Sequence, residues 1–189
     1  MKEPRHKGKL FILVGPSGTG KGTLRERALS DVNRLIYSIS CTTREPRNGE
    51  REGIDYRFVT KQDFEERVTQ GLFLEHAFVH GAFYGTLRKD VEREIEAGHD
   101  VLLEIDIQGA HQVQSLLPDS IVIFIAPPSL DILEERLRQR GTEVEEKIQL
   151  RLENAKNEMA QASDCDHIIV NDVLERAIEE LRNIILSYR

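Results

Sequence analysis

The sequence predicts an α/β protein, a parallel sheet flanked by helices with a small mixed or antiparallel segment inserted into it. Three observations predict it. Apolar runs at 10–14, 101–106, 121–126 and 168–170 alternate with amphipathic stretches, the order that winds a parallel sheet between helices. The first run enters a glycine-rich turn that opens directly into a helical pattern. Between about 40 and 86 the alternation gives way to short strands separated by turn residues.

Leu10-Phe11-Ile12-Leu13-Val14 is apolar throughout, as a strand covered on both faces must be. The helix after the glycine turn is expected to end near Ser30-Asp31, and Leu35–Ser40 reads as the second strand. Pro46 and Asn48-Gly49 mark turns, and Tyr56–Val59 a short strand. Thr60 starts a helix that Gly71 stops. Phe73–Val79 and Ala82–Tyr84 flank His80-Gly81, a hairpin signal. A helix over Leu87–Ala97 stops at Gly98, the strand Val101–Asp106 ends in acid, and a helix over Ile107–Leu117 is closed by Pro118. Ile121–Ala126 is a buried strand, and Pro127-Pro128-Ser129 caps a helix running to Arg140-Gly141. Thr142–Glu145 reads as a capping box opening a helix towards Ala162. Ile168–Val170 is the last strand, and Asp172–Glu175 opens the terminal helix.

Composition narrows the function classes. The chain has 189 residues and a net charge of −7, so no global basic field invites nucleic acid. Neither a signal-peptide pattern nor an apolar run of membrane length is present. With two cysteines, Cys41 and Cys165, a disulfide framework is not expected, and the setting implied is reducing and cytoplasmic. The basic stretch from Met1 to Lys9 reads as a loose tail.

Gly15-Pro16-Ser17-Gly18-Thr19-Gly20-Lys21-Gly22-Thr23 carries the strongest chemical signal. Strand, glycine loop and helix N-terminus together make a nest of N–H donors for phosphate, and Lys21 adds a point charge. Gly22 stands where such loops usually place the Ser or Thr that binds Mg²⁺, so a direct hydroxyl–metal bond is not implied. The alternative is a plain glycine turn. Arg44 and Arg47, beside Ser40, Thr42 and Thr43, suit a phosphate; they would equally suit a solvated turn paired with Glu45 and Glu50. Glu104 and Asp106, two apart on a strand, face one side. Asp106 could organise hydrated Mg²⁺ near the loop, or simply bond the amides of the next helix. Arg136, Arg138 and Arg140, with Arg151 on the next helix, read by themselves as a solvated face paired with Glu134, Glu135 and Glu146. The six histidines show no metal-ligand spacing, and Cys41 reads as a small filler.

Taken together, GPSGTGKGT at 15–23, SISCTTREPRNGE at 38–50, DYRF at 55–58, FLEHAFVHGAFYGT at 73–86, RQRGTE at 138–143 and VND at 170–172 resemble the bacterial guanylate kinase family, one of the phosphate-loop nucleoside monophosphate kinases. The resemblance runs from Gly8 to about Leu186. It implies transfer of the ATP γ-phosphoryl to GMP with Mg²⁺, in purine nucleotide metabolism. It also implies one domain in three parts: a core at about 8–39, 87–128 and 160–189, a GMP-binding part at about 40–86, and a helical lid at about 129–159.

By the same resemblance Ser40, Glu75 and Thr86 would hold guanine, and Arg44, Arg47, Tyr56 and Tyr84 the GMP phosphate. Glu104 and Asp106 would line the gap towards guanine and metal, with Asp106 reaching the metal through water. Residues 15–23, Arg136, Asn171 and Asp172 would hold ATP. Lys21, Arg47, Arg140 and Arg151 would stabilise the transferring phosphoryl, the last two from the lid. ATP and GMP are the partners implied; nucleic acid and membrane are not, and a homodimer is left open. Two rivals differ by class: a non-catalytic module of the same fold that binds a phosphopeptide, and a kinase for another nucleotide.

Overall fold

The computed structural model describes residues 7–79, 81–139 and 144–189. Its centre is β1 (Leu10–Val14), buried at every position. A strand without a polar face fits only where helices cover both sides of the sheet. Around it lie β2 (Leu35–Tyr37), β7 (Asp100–Glu104), β8 (Ile121–Ala126) and β9 (His167–Val170), in the order β2-β7-β1-β8-β9. All four pairings are parallel.

Alternation along β1 decides which helix packs where. Phe11 and Leu13 join Leu24 and Ala28 of α1 (Lys21–Asp31) and Leu181 and Ile185 of α7 (Leu174–Ser187). Leu10, Ile12 and Val14 point the other way, towards Val91 of α3 (Arg88–Glu96) and Ile107, Ala110 and Val113 of α4 (Ile107–Leu116).

The inserted segment forms its own mixed sheet, from β3 (Cys41–Thr42), β4 (Arg57–Phe58), β5 (Phe73–Val79) and β6 (Ala82–Leu87), in the order β4-β3-β6-β5. β3 and β4 are parallel and the other pairs antiparallel. Helix α2 (Lys61–Thr69) closes one face with Phe64, whose ring stacks on Phe73 at 4.5 Å and on Phe83 at 5.4 Å. The expected start holds, since Thr60 accepts from the Asp63 N–H at 3.0 Å. Gly81 turns the hairpin with φ 88°; His80 lies outside the described residues. Helices α5 (Leu130–Gln139) and α6 (Glu145–Ala160) pack on each other through Leu133, Leu137, Ile148 and Leu152.

Several boundaries differ from expectation. The strand expected over Leu35–Ser40 stops at Tyr37, because the chain leaves the core sheet there and re-enters pairing as β3 in the second sheet. Thr142, the expected cap of α6, lies outside the described residues; the N-cap is Val144, which offers no side-chain acceptor. Helix α6 ends at Ala160, and a 3₁₀ turn covers Ala162–Asp164. The terminal helix begins at Leu174 with Val173 as N-cap, while Asp172 sits just outside it.

Candidate active site

The glycine loop is held from three directions. Gly15 has φ 130°, and a Cβ there would stand 2.4 Å from the Ile125 carbonyl oxygen. Gly20 has φ 92°, and its Cβ would meet Asn171 Nδ2 at 2.5 Å. Both positions therefore demand glycine on conformation and on space. From within the loop, the buried Thr19 hydroxyl donates to the Pro16 carbonyl at 2.9 Å. From β9's end, buried Asn171 donates to the Thr19 carbonyl at 2.7 Å. From α6, Arg151 donates to Ser17 Oγ at 2.8 Å. Lys21 Nζ bonds the carbonyls of Gly15 at 2.5 Å and Pro16 at 3.0 Å. Helix α1 starts at Lys21 without a side-chain cap, so its first N–H groups face the cleft as an anion site.

A cleft of about 420 Å³ runs from this loop to the second sheet. Its far end is built on β5 and β6. Thr86 Oγ1 donates to Glu75 Oε1 at 2.6 Å, and Ser40 Oγ lies 3.4 Å from Thr86 Oγ1. All three are buried, Glu75 with only 3% exposed. Burial pushes the Glu75 carboxyl up to about 7; the Thr86 hydroxyl opposes this and the charge of Asp106 adds to it. An acid buried at that cost beside a cleft is a candidate to accept hydrogen from a ligand.

Arg44 does not itself line the cleft but contacts two residues that do, donating from Nε to the Tyr84 hydroxyl at 3.2 Å and lying 5.3 Å from the Tyr56 ring centre. Its fork grips Glu50 with two bonds of 2.9 Å, so the acid pairing considered for this turn is present. Arg44 touches Glu45 only at its carbonyl. Arg47 is exposed and borders the cleft.

Glu104 and Asp106 both border the cleft but do not share a strand: β7 ends at Glu104, and Asp106 is the N-cap of α4. Asp106 Oδ1 accepts from the Gly109 N–H at 2.7 Å, the amide-bonded alternative, and the residue lines the same cleft as the loop. Glu104 is held by Arg25 at 3.1 Å, and that guanidinium lies 4.4 Å from the Tyr37 ring centre. Sequence reasoning missed Arg25, Tyr37 and Glu158. Glu158 stands seven residues beyond Arg151 on α6 and borders the same cleft; two helical turns put both on one face, a readable signal. Burial raises its carboxyl, Lys21 opposes that, and Asp106 adds to it.

Behind the loop a second recess, of about 400 Å³, is bounded by Gly18, Gly20, Thr23, Arg136, Asn171 and Asp172. Arg136 turns from the helix surface to donate to the Asn171 carbonyl at 3.0 Å. Arg138 keeps the solvated role, pairing with Glu134 and, instead of Glu146, with Glu145. Asp172 accepts from the Val173 N–H and pairs with Arg176. Arg140, expected at the lid, lies outside the described residues.

A sequence model described as guanylate kinase matches residues 7–188. The chain belongs to the guanylate kinase family. It is therefore a kinase, with the phosphate-loop α/β fold of that family. The guanylate kinase of Neisseria meningitidis serogroup A is 49% identical over 183 residues, spanning 97% of this chain and 89% of that one. That of Thermotoga maritima is 46% identical over 183 residues, spanning 97% and 88%. The solved guanylate kinase of Anaplasma phagocytophilum superposes with a TM-score of 0.82 at 32% identity, covering 97% of this chain and 87% of that one. The solved shikimate kinase of Bacteroides thetaiotaomicron, at 15% identity, TM-score 0.50 and coverage of 94% and 98%, shares the fold alone.

Proposed function

We propose that this chain transfers the γ-phosphoryl group of ATP to GMP, giving ADP and GDP, with GMP in the cleft's β5–β6 end and ATP along the glycine loop. The observation that carries the reading is that buried Glu75, bonded by buried Thr86, lines with Ser40 the same cleft as the glycine loop. Guanine presents two neighbouring donors, N1–H and the 2-amino group, and an acceptor at O6. Glu75 accepts from both donors, and the hydroxyls of Ser40 and Thr86 serve O6 and the carboxylate. Adenine has an acceptor at N1 and would leave the acid buried against a lone pair.

The GMP phosphate then falls at the rim, among Arg44, Arg47, Tyr56 and Tyr84. Glu50 holds the Arg44 fork, so Arg44 supplies oriented charge and Tyr84 a hydroxyl. A GMP phosphate oxygen is already a nucleophile, so positioning and charge neutralisation suffice for the transfer. Lys21 leaves the Gly15 and Pro16 carbonyls for the outer phosphates, and Arg151, already at Ser17, follows from α6. Arg47 and Arg140 complete the positive set. The recess bounded by Arg136, Asn171 and Asp172 takes the adenine side of ATP. Residues 40–86 form the GMP-binding part, 129–159 the lid, and the rest the core.

Mg²⁺ fits this donor set only when carried on phosphates. Among the described residues no group of three metal-ligating side chains gathers, and Gly22 supplies no hydroxyl. Asp106, with one oxygen on Gly109, would hold the ion through its water shell. When bound, the ion neutralises charge developing on the β- and γ-phosphate oxygens. A coupled assay with GMP, AMP, CMP and UMP tests the reading. The expected outcome is a kcat/KM for GMP roughly 10⁴-fold above that for AMP; comparable values for both would overturn it.

A further inference from the structure

Glu75 reaches the cleft by lying against helix α4. Gly109, in the first turn of α4, is buried, and its N–H is held by Asp106. A Cβ at Gly109 would stand 2.7 Å from Glu75 Oε2, well inside contact distance, and 3.2 Å from Asp106 Oδ1, where a shift of a few tenths of an ångström suffices. Helix geometry does not call for glycine here, and glycine inside a helix costs about 1 kcal/mol against alanine. Space for the carboxylate does call for it. Nor can the carboxylate step aside freely, since its other oxygen is tied to Thr86 at 2.6 Å.

One turn further along the same face, Gln112 holds the backbone of the neighbouring residue in β5. Its Oε1 accepts from the His76 N–H at 3.1 Å, and its Nε2 donates to the His76 carbonyl at 3.0 Å. β5 is the edge of the second sheet, and the carboxamide takes the place of a missing partner strand. One helix face thus sets both the strand that carries Glu75 and the depth at which its carboxylate stops.

The geometry points to Gly109 and Gln112 as positioning residues for base selection, acting on GMP through Glu75 and touching neither substrate. The inference rests on the reading that Glu75 binds guanine. Ordinary contact begins near 3.4 Å, so a methyl group at 109 would move the carboxylate by about 0.7 Å. Displacements of that size in an oriented site cost roughly 10- to 100-fold.

The experiment is a double-mutant cycle of G109A and E75Q, with kcat/KM measured for GMP and KM for ATP. G109A alone should lower kcat/KM for GMP by roughly 10- to 100-fold and leave KM for ATP within about twofold. On the E75Q background the same substitution should cost less than about twofold, because the group it displaces no longer reads the base. The proposal falls if G109A is neutral towards GMP, if it impairs ATP to the same degree, or if its cost survives intact in E75Q. If E75Q itself leaves kcat/KM for GMP unchanged, the guanine reading fails first, an outcome distinct from an active Glu75 and an indifferent Gly109. Should G109A not fold, Q112L carries the same cycle, with an expected loss of roughly threefold or more from two broken hydrogen bonds and the same outcomes overturning it.

Discussion

Replacing Glu75 by glutamine tests the base end of the cleft twice, and the first test needs no substrate. In the folded protein, burial raises this carboxyl from 4.5 to about 7. As pH rises past 4.5 the unfolded chain gives up the proton first. The folded state therefore loses stability progressively up to about pH 7 and no further above it. A rise of about 2.5 pH units at about 1.4 kcal/mol each amounts to about 3 kcal/mol. Glutamine keeps the shape and removes the charge, and the Thr86 hydroxyl can turn to accept from its amide. E75Q should thus be more stable than the parent at pH 8 by up to about 3 kcal/mol, a melting rise of about 6 to 12 °C for a chain of this length. The gain should shrink below about 1 kcal/mol at pH 5. Thermal melts at the two pH values measure it. Activity should move the opposite way. Glutamine turns an N–H towards a guanine donor, and a lost bond to a charged group of about 3 kcal/mol predicts roughly 100-fold lower kcat/KM for GMP. In the parent, kcat/KM for GMP should fall below about pH 7 as the free enzyme's Glu75 takes up a proton. The GMP phosphate titrates near pH 6 in both proteins, so the ratio of parent to E75Q isolates Glu75. Equal melting at pH 8 together with unchanged GMP-over-AMP discrimination would refute the reasoning.

Two further outcomes follow from the loop and the lid. Arg151→Ala removes the donor to Ser17 and, on the proposed function, a charge acting on the transferring group; kcat should fall by roughly 100-fold or more with KM for GMP nearly unchanged, and weaker GMP binding with normal kcat would count against that role. At Gly22 an added Cβ meets nothing within 4 Å and no positive φ is required, so Gly22→Ser should fold normally. If the phosphates and water already satisfy the metal, its Mg²⁺ dependence of rate should match the parent, and a tenfold lower Mg²⁺ requirement would show that the absent hydroxyl is a deficit.

Much of the architecture was legible because its causes are local. Five consecutive apolar residues stopped by a glycine loop are too short for a buried helix and fit a doubly covered strand, and a glycine loop between that strand and a helix can bind anions with its own backbone. Stops at Gly71 and Gly98 and the cap at Thr60 depend on a few neighbouring residues, so they survive in the fold. Resemblance supplied the set proposed to read the base, because positions 40, 75 and 86 show no joint pattern along the chain.

What the sequence determined by itself, then, is the alternation of elements and the phosphate loop, since backbone preference and side-chain periodicity act over one or two turns. Tertiary structure decided the rest. It ended the strand expected over 35–40 at Tyr37, sending the chain to a second sheet from Cys41, and moved Asp106 from strand to helix cap. Arg136 and Arg138, two residues apart, took opposite roles, one bracing Asn171 and the other solvated. Tertiary packing also brought Glu158 to the cleft and set Glu75 against Gly109, 34 residues away. Whether a charge is paired, solvated or buried depends on what long-range packing places beside it, and no short window of sequence contains that neighbour.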